Sequence, residues 1–307
     1  MDPIDLVAGC KVNRFFRARN KLTHGSVVSH ITQRAAGKDP CFVEDDDFLC
    51  MLGFLKESAL KHNYEIFSFC LMGNHAHLLL RPSEDNLQDA MRDLFSRYAM
   101  RFNRKYERRG HLFGGPYRQA VCLDDAYLLA ASTYIHLNPV KAEIVNDPKD
   151  YRWSSVRLFV DEPEKMSFVN AGFILKMLSS DLQIARKRYR TLLEKGTELP
   201  IDYAKTQESG VEHFKQMLIE VFPNIFKRMT AAKTVAKIDG KEILNMEALE
   251  QQIDETISQY GRRKPGSRKA MKFLVEQLIA RGFKRSEIAE CLHISPKTVY
   301  NILKSQT

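Results

Sequence analysis

The sequence has no pair of cysteines at C-x-x-C spacing, and its six cysteines are scattered along the chain. This scatter argues against a disulfide framework or a zinc knuckle, and it is typical of thiols in a reducing compartment. The first residues, Met-Asp-Pro-Ile-Asp, lack the basic and apolar stretches of a signal peptide. No apolar run approaches the roughly 20 residues that a membrane span needs. We therefore expect a cytoplasmic protein with no membrane partner.

Acidic residues are scarce in two parts of a chain whose formal net charge is +9. Residues 97–118 hold seven basic side chains against one acid, and residues 262–285 hold nine against one. Such blocks favour a polyanionic partner, and they predict two surfaces that face phosphates. Two solvated helix faces are the alternative interpretation. In the first block the predicted phosphate contacts are Arg97, Arg101, Arg104, Lys105, Arg108, Arg109 and Arg118.

Apolar periodicity predicts the elements of the first half of the chain. Strands are expected at residues 25–32, 64–71, 75–81 and 118–123, and helices at 44–63, 86–106 and 124–139, with Pro139 closing the last helix. The order β-α-β-β-α-β-α fits a split β-α-β arrangement. We predict an α+β fold with a ferredoxin-like antiparallel sheet, flanking helices, and the strand at 75–81 in a central position.

The remaining segments divide the chain further. We predict a basic N-terminal arm at 1–25, the α+β domain at 26–160, a helical connector at 161–260 and an all-α C-terminal segment at 261–307. Helical spacing at 272–281 and 285–292, followed by an N-cap Ser295 before Pro296, predicts a helix-turn-helix. The side chains expected to face outward from its last helix are Lys297, Thr298, Tyr300, Asn301 and Lys304.

Two histidines stand two residues apart in Met-Gly-Asn-His-Ala-His-Leu-Leu-Leu, residues 72–80. Side chains alternate faces along a strand, so His75 and His77 are expected on one face and Ala76 on the other. Two adjacent imidazoles form half of a site for a divalent cation. A purely structural pair is the alternative, but buried imidazoles without partners cost about 1–3 kcal/mol each.

Tyr134 and Asn138 are spaced i, i+4 on a predicted helix, which puts the phenol and the amide on one face. Together with His75 and His77 they suit metal-assisted attack of a phenol on a phosphodiester, with Asn138 as a third ligand and Mg²⁺ or Mn²⁺ as the cation. Tyr127 lies on the same face and is the main competitor as nucleophile. The spacing is equally consistent with a Tyr-Asn pair that merely ends a helix.

The chain resembles the REP-associated tyrosine transposases, which are relatives of the single-tyrosine HUH transposases of small insertion sequences. The matching stretches are LMGNHAHLLL (71–80), SRYAMRFN (96–103), GHLF (110–113), YIHLNPVKA (134–142) and YRWSS (151–155). The resemblance implies a catalytic domain that nicks single-stranded DNA beside a palindromic hairpin. It also implies that His75 and His77 are metal ligands and that Tyr134, rather than Tyr127, is the nucleophile. Asn138 takes the ligand position that glutamine fills in the insertion-sequence relatives.

Three functions follow from these observations as hypotheses. The first is a metal-dependent transposase that nicks and rejoins single-stranded DNA through a 5′-phosphotyrosine. The second is a DNA-binding regulator that binds hairpin or duplex DNA without cleaving it, the duplex through the helix-turn-helix. The third is a metal-dependent phosphohydrolase acting on small nucleotides, which leaves the basic blocks unexplained. A monomer is the favoured oligomeric state.

Overall fold

The computed structural model of the chain describes residues 21–37, 39–162, 167–200, 207–230, 237–238, 241–244, 246–259, 267–281 and 283–304. The chain divides into two compact units, one formed by Thr23–Ala236 and the other by Lys237–Thr307 together with Met1–Leu22. Most of the predicted N-terminal arm, residues 1–20, lies outside the described residues. The cysteines that the structure describes are free thiols.

The first unit is built on a four-stranded sheet. Its strands are β1 (Ser29–Arg34), β2 (Tyr64–Met72), β3 (His75–Pro82) and β4 (Arg118–Val121), in the spatial order β2-β3-β1-β4. Every neighbouring pair in this sheet is antiparallel. This is the strand order of a ferredoxin-like split β-α-β arrangement, so the predicted topology and the central position of the histidine strand are confirmed.

Two helices cover one face of the sheet: α1 (Asp45–His62) and α2 (Leu87–Lys105). Their apolar stripes pack on the strand residues that point to this side, among them Ala76 and Leu78. The start of α1 is fixed by Asp47, whose carboxylate accepts hydrogen bonds from the backbone N–H groups of Val43 and Glu44 at 3.0 Å.

A third helix, α3 (Asp125–Lys141), covers the other face. Asp124 caps it by accepting a hydrogen bond from the Tyr127 N–H at 2.6 Å. Every residue from Asp125 to Pro139 is buried. The prediction that Pro139 closes this helix is wrong by two residues. In the last turn a proline removes one hydrogen bond, and the N–H groups of Ala142 and Ile144 still reach the carbonyls of Asn138 and Pro139.

Further helices continue the core on the α3 side. They are α4 (Arg157–Val160), α5 (Ala171–Leu178), α6 (Leu182–Glu198), α7 (Gln207–Val221) and α8 (Pro223–Thr230). Buried apolar side chains of α6 and α7, such as Tyr189 and Phe214, join the same cluster as α3. The domain was predicted to end at residue 160 and to be followed by a connector, whereas the compact unit extends to Ala236 because these helices bury their apolar faces on it.

The second unit contains a short hairpin, β5 (Lys237–Ile238) and β6 (Lys241–Glu242). Four helices are described there: α9 (Met246–Gln259), α10 (Ser267–Ala280), α11 (Arg285–Cys291) and α12 (Pro296–Lys304). The last three agree with the predicted helices, and buried Leu274, Ile288 and Val299 lie on them. The described residues of 261–307 form no strand, whereas the hairpin lies within 161–260, so the prediction of a purely helical connector there is wrong. Among the described helices none is long and apolar enough to cross a membrane.

Candidate active site

The two histidines of β3 lie on the sheet face that α3 covers. Ala76 between them packs on the opposite face, as the alternation of a strand requires. The ring centroids of His75 and His77 are 4.8 Å apart, and the ring planes are nearly perpendicular at 86°. The sequence prediction of a shared face is confirmed.

His77 is fully buried, and its two ring nitrogens have different surroundings. Nδ1 lies 3.0 Å from Nε2 of His30 and 3.2 Å from Oγ1 of Thr32. Nε2 is buried and has no hydrogen-bond partner among the described residues. An orphaned imidazole nitrogen of this kind is a suitable metal ligand, because a cation would satisfy its lone pair.

His75 has the same division of roles. Its Nδ1 lies 2.6 Å from Oδ1 of Asn74, so Nδ1–H donates to the amide oxygen and Nε2 keeps its lone pair. Metal-bound histidines commonly donate their other N–H in this way. Both halves of the predicted two-histidine site therefore fit a divalent cation.

The histidines at this site are neutral near pH 7. Burial lowers the pKa of His75 to about 4, assisted by the positive charge of Arg34, and burial lowers the pKa of His30 to about 4. Burial, followed by the neighbouring histidines and Arg34, places the pKa of His77 well below its ordinary value. Neutral imidazole is the form that binds a metal.

Arg34 is an exposed residue beside the histidines and is not among the site residues predicted from the sequence. It is the register partner of His75 across the β1–β3 pair, as Thr32 is the partner of His77. His30, Thr32 and Arg34 alternate along β1 on the same face. That alternation is readable in the sequence, but the strand alignment that brings them to the histidines is not.

Tyr134 projects from α3 toward the same place. Its ring centroid lies 6.4 Å from that of His77, edge to face at 83°. The side chain is only 3% exposed, and burial raises the pKa of its phenol to about 12. The neighbouring helix α7 packs against this side chain: a Cβ at Gly210 would lie 3.5 Å from the hydroxyl, at ordinary van der Waals distance, and the Phe214 ring centroid is 6.2 Å from that of Tyr134.

Asn138 lies one turn further along α3 and is buried. Its amide nitrogen donates to the carbonyl oxygen of Tyr134 at 2.9 Å, so only its Oδ1 remains for a cation. Among the described residues no group of three or more His, Cys, Asp or Glu side chains is arranged to hold a metal ion. The ligand role of Asn138 and the identity of the metal stay predictions.

A buried polar network fixes α3 to its neighbours. His136 lies 2.7 Å through Nδ1 from the Tyr189 hydroxyl of α6 and 2.8 Å through Nε2 from Ser155 Oγ. Ser155 in turn accepts a hydrogen bond from the Phe69 N–H of β2 at 2.9 Å. Tyr189 also bonds Ser132 at 2.8 Å. Because His136 is two residues from Tyr134, this network sets the position of the phenol relative to the sheet.

The basic residues predicted on α2 lie on the other face of the sheet from the histidines. Arg97 pairs with Glu57 at 2.6 Å, Arg101 with Asp46 at 2.7 Å, and Lys105 with Asp47 at 2.8 Å. The loop residue Arg108 pairs with Asp39 at 2.7 Å. These four side chains are tied to acids from elsewhere in the chain, which a count of charge along 97–118 does not reveal.

The other predicted phosphate contacts are exposed. They include Arg104 on α2, Arg109 in the following loop, and Arg118, which pairs in register with Thr32 and so shares the histidine face. In the second unit the predicted outward-facing residues of α12 are all exposed, namely Lys297, Thr298, Tyr300, Asn301 and Lys304. Their binding to nucleic acid stays a prediction.

Comparison with known proteins finds one family that part of this chain resembles. Residues 26–138, from just before β1 to Asn138 of α3, match the family model of the IS200-like transposases. The matched stretch contains both histidines and Tyr134.

A search of curated proteins found no match. A solved structure of a REP-associated tyrosine transposase bound to a REP hairpin is 12% identical and aligns with a TM-score of 0.42. The alignment covers 52% of this chain and 93% of that one.

Proposed function

We propose that this protein nicks and rejoins single-stranded DNA beside palindromic hairpins, with Tyr134 as the nucleophile that forms a 5′-phosphotyrosine. The observation that carries this proposal is the juxtaposition of the Tyr134 ring, 6.4 Å away, with an imidazole whose buried Nε2 has no partner among the described residues. The match of residues 26–138 to the IS200-like transposase family supports the reaction class.

In this proposal His75 and His77 hold Mg²⁺ or Mn²⁺ through Nε2, and Asn138 offers its amide oxygen. A bound cation would withdraw electron density from the scissile phosphate and stabilise the charge that develops on it. The two imidazoles and the amide add no charge of their own. Arg34 and Arg118, exposed on the same face, supply the positive charge that a phosphodiester needs.

The covalent step conserves the energy of the broken bond. The phenol of Tyr134 gives up its proton and its oxygen forms a bond to phosphorus, while the bond from phosphorus to the 3′ oxygen breaks and the 3′ oxygen takes up a proton, so that one proton is lost and one is gained. A 3′-hydroxyl of another strand later reverses the exchange without a nucleotide cofactor. Because Tyr134 is only 3% exposed, DNA reaches its hydroxyl only after residues that pack around it, α7 among them, have moved.

The test is the formation of a covalent protein–DNA adduct. The full chain is incubated with Mg²⁺ or Mn²⁺ and a labelled single-stranded oligonucleotide that contains a hairpin, and the products are separated under denaturing conditions. We expect an adduct that Tyr134→Phe abolishes and Tyr127→Phe retains, because Tyr127 lies on the same buried helix and controls for packing. An adduct that survives in Tyr134→Phe would show that another residue is the nucleophile.

A non-cleaving DNA-binding regulator is the second candidate, and one observation favours it. Tyr134 is 3% exposed and its phenol has a raised pKa, which describes a resting tyrosine rather than an activated one. For this candidate we expect hairpin or duplex DNA to bind the chain while no adduct forms with any divalent cation tried.

A further inference from the structure

Two side chains of β1 converge on one nitrogen of His77. His30 Nε2 lies 3.0 Å and Thr32 Oγ1 3.2 Å from His77 Nδ1. All three side chains are buried, His30 at 3% exposure. The contacts follow from the backbone, since the antiparallel register pairs Thr32 with His77 and places His30 one pleat further along the same face.

The tautomer of His77, that is, which of its ring nitrogens carries the proton, determines whether His77 donates to His30 or accepts from it. A neutral imidazole carries a single N–H, so His77 either donates from Nδ1 and has a lone pair at Nε2, or carries its proton at Nε2. The second arrangement would leave a buried N–H without an acceptor, because Nε2 has no partner among the described residues. It would also direct two donors, from His30 and Thr32, at a single lone pair.

We propose that His30, supported by Thr32, is a positioning residue that accepts the Nδ1 proton of His77 and thereby keeps Nε2 of that ring available to a divalent cation. The inference rests on the proposed function, because it assigns the cation to His77. His30 does not touch the cation; it acts through the tautomer and the ring orientation of its neighbour. An outer partner of this kind commonly decides how well a histidine binds its metal.

The tautomer can be measured without metal and without DNA. Nitrogen-15 spectra of the full chain, labelled at histidine, distinguish a protonated Nδ1 from a protonated Nε2, and His77→Gln identifies the His77 signals. We expect wild-type His77 to carry its proton on Nδ1. His30→Leu removes an acceptor and should shift the population toward the Nε2 proton, whereas the amide oxygen of His30→Gln should restore the wild-type pattern.

Metal affinity supplies a second readout. Titration with Mn²⁺ followed by electron paramagnetic resonance should show binding weakened roughly 10–100-fold in His30→Leu, the range typical for loss of an outer partner. His30→Gln should recover most of the affinity. Thermal unfolding of each variant is recorded beside these titrations, so that loss of fold is recognised.

Thr32→Val is the matched variant, because it is close to isosteric and removes only the weaker contact. It should retain the wild-type tautomer and lose less Mn²⁺ affinity than His30→Leu. If His30→Leu does not fold, the tautomer and the Mn²⁺ affinity are compared among wild type, Thr32→Val and His30→Gln.

Three results would overturn the inference: a wild-type His77 protonated on Nε2, an unchanged tautomer and affinity in His30→Leu, or a larger effect of Thr32→Val. The proposed function fails separately, by absence of the Tyr134 adduct, and that result does not alter the metal-free spectra.

Discussion

The charge at the candidate active site comes from arginine rather than from histidine. Burial keeps His30, His75 and His77 neutral, so their rings offer lone pairs and no positive charge. Arg34 stands beside His75 in the strand register and is exposed. A phosphodiester that approaches the two histidines therefore meets a fixed positive charge at the edge of the site.

Replacing Arg34 with glutamine should slow formation of the DNA adduct by roughly 10-fold or more, because a charge that stabilises the transition state is lost. Single-turnover rates with the hairpin oligonucleotide measure the effect. Arg92→Gln is the control, since it removes the same charge from an exposed position of α2 on the opposite side of the sheet. Equal rates for wild type and Arg34→Gln would remove Arg34 from the site.

At the scale of elements, the sequence predicts best those features that depend on neighbours along the chain. The alternation of side chains along residues 75–81 is sufficient to predict strand β3 and the common face of His75 and His77. The contacts of His77 with His30 and Thr32 were not predictable, because they join residues more than 40 positions apart through the alignment of β1 with β3.

The dependence on contacts between distant residues also explains why the ion pairs of the basic residues of α2 could not be predicted. A local count registers Arg97, Arg101 and Lys105 as unpaired charge, yet their partners are acids of α1. It also explains α7, which lies in a segment predicted only as a helical connector and whose packing against Tyr134 depends on residues distant along the chain. Local pattern defines elements, whereas the pairing of distant segments defines the site.

One ion-pair cluster joins α1 to α2 and lends itself to a stability test. Asp47 caps α1 and also accepts hydrogen bonds from Lys105 at 2.8 Å and from the Tyr106 hydroxyl at 2.7 Å. Burial alone would raise the pKa of Asp47, but these hydrogen bonds and those from the backbone outweigh it and lower the pKa. We expect Asp47→Ala to reduce the free energy of unfolding by roughly 1–3 kcal/mol.

The pH dependence of this loss has a definite sign. Because the folded-state pKa of Asp47 lies below the unfolded one, its contribution is complete above the ordinary carboxyl pKa and disappears as the pH falls through the folded value. Denaturant unfolding at several pH values should therefore show wild type and Asp47→Ala converging under acid conditions. Asp45→Ala, exposed in the same turn, should cost little. A difference between Asp47→Ala and wild type that persists unchanged at low pH would contradict this account.

At the scale of the whole molecule, residues 26–138 of the first compact unit match the IS200-like transposase family, and the second compact unit lies outside this match. The exposed polar residues of α12 make this unit the candidate for binding duplex DNA. Binding to phosphates releases counterions, so the dependence of affinity on salt reports how many phosphates are contacted.

The double variant Lys297→Ala with Lys304→Ala should weaken duplex binding and reduce the slope of log affinity against log salt by about 2. Fluorescence anisotropy with a labelled duplex at several salt concentrations measures both quantities. Lys187→Ala with Lys195→Ala removes the same charge from exposed positions of α6 and serves as the control. An equal loss of slope in both double variants would mean that net charge, rather than α12, governs the binding.

The burial of α3 along nearly its whole length has a consequence for sequence variation during evolution. A helix with a solvent-exposed face tolerates substitutions on that face, but every residue of α3 from Asp125 to Pro139 is buried. Natural variants should therefore be rare throughout this segment, with no tolerant stripe recurring every three or four positions. We expect amino-acid substitutions to accumulate in the helices around α3, while the sequence of α3, which carries Tyr134, changes little.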